Sequence, residues 1–156
     1  MSSIFLAFSA SSLSQAAYHS HQELKIDKNR KTNVVLNGYD AVAYFTEMKA
    51  TKGNDMYTAE WMDTVWKFSS EENKKRFLAN PSKYVPAYGG RCAVSIRSGR
   101  AEISNPACFV IEADRLFLLA GTPQIDTFKA DIASFISEGD ANWPKLQKEV
   151  KFRGSK

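Results

Sequence analysis

The chain has 156 residues, 44% hydrophobic and 12% aromatic, which suits one domain built on a single buried core. Formal net charge is +4 with a sequence pI near 9.0, but the basic residues are scattered: Lys25 to Lys31, Lys74 to Arg76, Arg91 to Arg100, and the tail from Lys145. No run interleaves bases with aromatics, so they read as a solvated surface and a nucleic-acid platform is excluded. No apolar stretch approaches the roughly 20 residues of a membrane-spanning helix.

Residues 2–16, SSIFLAFSASSLSQA, are apolar, small and uncharged, and end in Ser-x-Ala. They resemble the apolar half and cleavage site of a signal peptide, with Ser14 and Ala16 at the small-residue positions and the positively charged opening missing. On that reading residues 1–16 are a truncated signal and the protein is periplasmic or secreted. If the stretch is not a signal, it is cytoplasmic. Residues 17–32 form a polar arm carrying both histidines, His19 and His21. Cleavage after Ala16 would leave Ala17-Tyr18-His19 at the start. An amine, two deprotonatable amides and an imidazole can then wrap copper(II) or nickel(II) in a square plane.

The folded pattern begins near Asn33. Asn37-Gly38-Tyr39-Asp40 is a turn signal, and Ala41 to Phe45 suits a strand or a short buried turn. Met56 to Trp61 and Thr64 to Ser69 form a hairpin across Met62-Asp63, with the second strand aromatic on one face and polar on the other. A helix follows, with Ser69 and Glu72 at capping-box spacing and Asn80-Pro81 as its stop. Gly89-Gly90 leads to the short apolar run from Cys92 to Ile96.

A second hairpin is predicted from Phe109 to Ile111 and Leu116 to Leu119. Ile125, Phe128, Ile132, Phe135 and Ile136 then recur at helical spacing in an amphipathic helix ended by Gly139. Asn142-Trp143-Pro144 docks an aromatic, and 147–156 reads as a flexible tail. No internal repeat is apparent. Short antiparallel hairpins with a capped helix after the second strand and a helix at the end make an α+β fold over residues 33–146.

Three stretches, Asn37 to Phe45, Trp66 to Tyr84, and Tyr88-Gly89-Gly90-Arg91-Cys92-Ala93, resemble the YHS-domain family, in particular its small exported bacterial members. Asp140-Ala141-Asn142-Trp143-Pro144 is similar to their common ending. The resemblance implies a metal-binding module, of the kind found beside heavy-metal transporters and in some oxygenases. The family pattern has a cysteine after an Asp-Pro-Val opening and two more in a strand-helix segment. Here the opening reads Asp40-Ala41-Val42-Ala43, and Ser69 and Asn73 stand where the thiolates would, which suits zinc or copper(I) poorly. The resemblance carries over Cys92 in its Gly-Gly-x-Cys setting.

The candidate site is therefore a ligand pocket of Asp40, Tyr44, Trp66, Tyr88 and Cys92, against the alternative of a structural aromatic cluster with Asp40 serving the turn. Cys92 is open to three readings: a metal ligand, a reactive thiol, or an inert buried residue, the last including a disulfide to Cys108. Both histidines lie in the arm, so no Ser/His/Asp arrangement can be assembled inside the domain. The function expected is an exported binding module for copper, nickel, zinc or a small ligand, with Cys92, His19 and His21 as metal donors. A thiol-dependent redox protein and a metal-free partner-binding domain are the competing readings.

Overall fold

The computed structural model describes residues 25–151. After a 3-10 turn at Leu36–Gly38 comes a one-turn helix, α1 (Ala43–Thr46), then the hairpin β1 (Asn54–Trp61) and β2 (Thr64–Phe68). Helices α2 (Glu71–Ala79) and α3 (Pro81–Tyr84) follow. A second 3-10 turn (Ala87–Gly90) leads to α4 (Ala93–Arg97), the hairpin β3 (Asn105–Glu112) and β4 (Arg115–Leu119), then α5 (Thr122–Ala130) and α6 (Ile132–Glu149). Two separate antiparallel hairpins accompanied by helices give the α+β class.

The expectation of no internal repeat is corrected here: residues 36–79 and 88–130 follow the same path. Each pass has a β-hairpin of eight and five residues and then a nine-residue helix. Both hairpins turn on two left-handed residues, Met62-Asp63 (φ 49° and 56°) and Ala113-Asp114 (φ 48° and 56°), the geometry that matches strand twist. Both irregular first strands open on an asparagine whose side chain accepts an N–H two residues on, from Met56 at 2.8 Å and from Ala107 at 3.0 Å. Leu36, Asn37 and Gly38 are left-handed in the first pass, and Tyr88, Gly89 and Gly90 in the second. Non-glycine residues are costly in that region, by about 1–2 kcal/mol each, so the shared excursion reflects a shared loop.

Two apolar cores, rather than the single one expected, lie either side of the second hairpin. Ala59, Trp61, Trp66, Phe68 and Phe77 belong to the first; Cys108, Val110, Phe117, Leu119 and Phe128 belong to the second. Phe77 is the hub of the first, with ring centroids 4.6 Å from Trp66, 5.2 Å from Phe68 and 5.9 Å from Trp61. Its counterpart Phe128 lies 5.2 Å from Phe117 and 5.7 Å from Phe135. Strand alternation lets β3–β4 serve both sides: Phe109, Ile111, Leu116 and Leu118 face the first core, and Val110, Phe117 and Leu119 the second.

Other local expectations shift. The run after Cys92 is the helix α4. The C-terminal helical segment is two helices broken at Asp131, and Gly139 lies inside α6 instead of ending it. A Cβ there would approach Tyr88 Oη to 2.6 Å, so glycine admits the tyrosine. Helix α6 extends to Glu149, past the expected start of the tail. Nor is 25–32 a detached arm. Ile26 is buried, and Asp27 pairs with the buried Arg91 at 3.0 Å. The signal-like residues 1–16, and His19 and His21, lie outside the described residues.

Candidate functional site

Asp40 is fully buried and receives five hydrogen bonds. Its Oδ1 accepts the N–H of Val42 (2.8 Å) and of Ala43 (3.2 Å). Its Oδ2 accepts the Ser69 N–H (2.8 Å), the Ser69 hydroxyl (2.7 Å) and the Asn73 amide (2.8 Å). All five partners are donors, which is what an acceptor-only carboxylate needs once water is removed. The local chain explains the convergence. Asp40 precedes α1 and takes its first free N–H groups, while Ser69 and Asn73 lie four apart at the start of α2 and so share a face. Ser69 is thus not the helix cap: Ser70 is, accepting the Asn73 N–H at 3.1 Å.

Cys92 occupies the equivalent place in the second pass. Asp40 N–H donates to the Thr51 carbonyl (2.8 Å) and Cys92 N–H to the Glu102 carbonyl (3.0 Å). Just as Asp40 accepts the N–H after β2, Cys92 Sγ accepts the N–H of Ala120, after β4, at 3.3 Å. The remaining partners have changed: where Ser69 and Asn73 stand in the first pass, the second has Ala120 and Gln124. The thiol is 1% exposed among apolar neighbours. Cys92 and Cys108 are both free and buried, so the disulfide reading is not realised here. Cys108 falls in the irregular stretch of β3 between Asn105 and Phe109, outside the paired register.

The five residues expected to line one pocket are divided between the two cores: Asp40, Tyr44 and Trp66 on one side, Tyr88 and Cys92 on the other. Trp66 is buried and donates to Thr64 Oγ1 at 2.8 Å, while that hydroxyl bonds to the Trp61 carbonyl. Tyr44 crosses to the second hairpin, donating to the Pro106 carbonyl at 2.6 Å with its ring edge-on to Phe109. Burial, and then the negative field of nearby groups, hold its hydroxyl above the ordinary tyrosine range.

Tyr88 points to α6, donating to Asp140 Oδ1 at 2.9 Å. Arg115 grips the same carboxylate with two bonds, at 2.8 and 2.9 Å. Burial first, and the bond to Asp140 second, push the Tyr88 hydroxyl up, against the opposing pull of Arg115. The Arg115 bond holds the Asp140 carboxyl below its usual range.

Both oxygens of Asp40 are taken by donors, and among the described residues no three His, Cys, Asp or Glu side chains converge. A hollow of about 20 Å³ lies between the two left-handed loops, lined by Asp27, Leu36, Asn37, Gly90, Ser104 and Leu118. It has room for one water-sized group and does not reach Cys92. Among the described residues no helix is long and apolar enough to cross a membrane.

No family model, curated protein or solved structure matches the chain. The likeness to YHS domains rests on the motifs alone.

Sequence reasoning missed Asn73 as an Asp40 partner, Arg91 as a buried clamp, and the Arg115–Asp140 pair. For Asn73 a signal existed: an amide four residues after Ser69, on the helix face turned to the core.

Proposed function

We propose that this chain is an exported binding module of the YHS type in which the family's ligand position has become a structural hydrogen-bond cluster. The supporting observation is the meeting of Asp40, Ser69 and Asn73. Asp40, Ser69 and Asn73, which the resemblance sets at the family's opening and at two of its thiolates, hydrogen-bond to one another. A carboxylate already holding five donors has no lone pair directed at an ion, and a serine and an amide add no thiolate. Transition-metal binding is accordingly proposed for the arm, with His19 and His21 as donors: in a chain beginning at Ala17 the terminal amine, two amides and the His19 imidazole make a set suited to copper(II) or nickel(II).

Little favours the redox reading. Cys92 has its sulfur on a backbone N–H in an apolar setting, and among the described residues no base or second thiol is bonded to it. Copper(II) titration of the chain beginning at Ala17, with the full chain as the control whose Ala17 nitrogen is a peptide N–H, tests the proposal. Stoichiometric binding is expected to disappear in His19→Ala/His21→Ala and to survive Cys92→Ser. Binding that follows Cys92 instead would return the metal to the core and overturn the assignment.

A further inference from the structure

The two passes stack in one direction. The outer face of the first hairpin carries Thr58, Glu60, Val65 and Lys67, all exposed or half-buried. The same positions of the second hairpin are Phe109, Ile111, Leu116 and Leu118, turned onto the first core. In stacked repeats a unit's outer face is apolar where a neighbour lies beneath it and polar where the array ends. The first hairpin is therefore the polar end of an array, and the second hairpin closes the core of the unit before it.

Nothing in the repeat itself closes the second core. Helix α6 does so, position by position. Tyr44 is covered by the Pro106 carbonyl and the Phe109 ring. Beside its counterpart Ile96, Asn142 of α6 donates to the carbonyls of Ile96 (3.2 Å) and Arg97 (3.0 Å). Leu36 faces the first core; its counterpart Tyr88 meets Gly139, Asp140 and Trp143 of α6. Phe135 and Leu146 complete the cover.

We infer that the chain is two copies of one stacking unit, and that α6 is a separable cap over the face that β3–β4 covers in the first unit. Cys92 is then the second copy of the Asp40 position, with its polar partners replaced. The cap is held by polar contacts at the Arg115–Asp140–Tyr88 cluster, at the Arg97–Glu138 pair and through Asn142, and both charged side chains of the first are partly exposed. Its release uncovers the second core with both thiols and leaves the first core closed by β3–β4.

Gly139→Ala in the full chain tests the cap, because the added methyl meets Tyr88. Alkylation of Cys92 and Cys108 is expected to accelerate about tenfold or more, with faster amide exchange over 132–149 and unchanged exchange over 54–79. Parallel loss of protection over 54–79, or unchanged alkylation, overturns the inference. If that variant does not accumulate as folded protein, Asp140→Asn carries the same readouts.

A graft tests the equivalence of the units. Cys92→Asp alone should lower the folding equilibrium about a hundredfold or more, through an uncompensated buried carboxylate. Adding Ala120→Ser and Gln124→Asn should recover about tenfold or more by restoring donors. No recovery would refute the equivalence of the two positions.

Discussion

The first core is organised around a charge and the second around a sulfur, although the backbone takes the same route through both. In the first, Asp40 ties the start of α1 to the start of α2 with five directional bonds. In the second, Cys92 makes one weak bond to the equivalent N–H, and apolar contact does the rest. A buried polar network fixes geometry strongly but fails badly when one member is lost. A small apolar residue fixes less and tolerates more. The comparison locates the specificity of this fold in the first unit and its adaptability in the second, where a helix has taken a hairpin's place.

The sharpest way to break this comparison is to truncate the paired positions. Asp40→Ala should cost about 3–5 kcal/mol, because four buried or half-buried residues lose an acceptor at once. Cys92→Ala should cost only about 1–2 kcal/mol. Urea denaturation of the two variants side by side measures the difference, and equal costs would remove the distinction. Phe77→Ala and Phe128→Ala should each cost about 3–5 kcal/mol as cavities in separate cores. Tryptophan emission separates them: Trp61 and Trp66 should respond to the first substitution and stay near wild type in the second.

A smaller effect is expected where the units touch. Tyr44→Phe leaves the buried Pro106 carbonyl without its hydroxyl donor, for about 1–2 kcal/mol, read from the same denaturation curves.

The smallest effect is on the cap. Because Arg115 depresses the Asp140 carboxyl in the folded state, the stabilisation is complete above the ordinary carboxylate range and is lost as pH falls through the lower folded value. Trp143 fluorescence and exchange over 132–149 should report loosening of α6 in acid, and Asp140→Asn should remove that part of the pH dependence.

Local signals were legible in the amino-acid sequence wherever one segment decides its own conformation. The hairpin turn at 62–63, the existence of a second turn between Ile111 and Leu116, the proline stop after α2 and the aromatic face of β2 all follow from neighbours. What was hidden depends on contacts between distant segments. Ser69 has the spacing of a cap, yet Asp40, distant along the chain, takes its hydroxyl and leaves the cap to Ser70. Gly139 looks like a helix end, but Tyr88 requires the absent side chain.

The repeat was masked for a similar reason. Its two copies retain Gly38 and Gly90, Ala41-Val42 and Ala93-Val94, Asn54 and Asn105, Asp63 and Asp114, Phe77 and Phe128. At the outer-face positions the two copies differ, mostly polar and exposed or half-buried in the first hairpin and apolar in the second, where they pack on the first core. The candidate pocket failed on that point: its members were drawn from both copies as though they faced one cavity.

Arg91 holds two remote parts of the chain on one guanidinium, the carboxylate of Asp27 at 3.0 Å and the carbonyl of Lys151 at 3.4 Å. The first and last described segments therefore meet at one guanidinium. Closing them with a short linker would cost little loop entropy, and the circle could be reopened at Pro81. Such a permutant would present the thiol-bearing unit and its helix first and the carboxylate-bearing unit last, with every layer still in contact with its present neighbour.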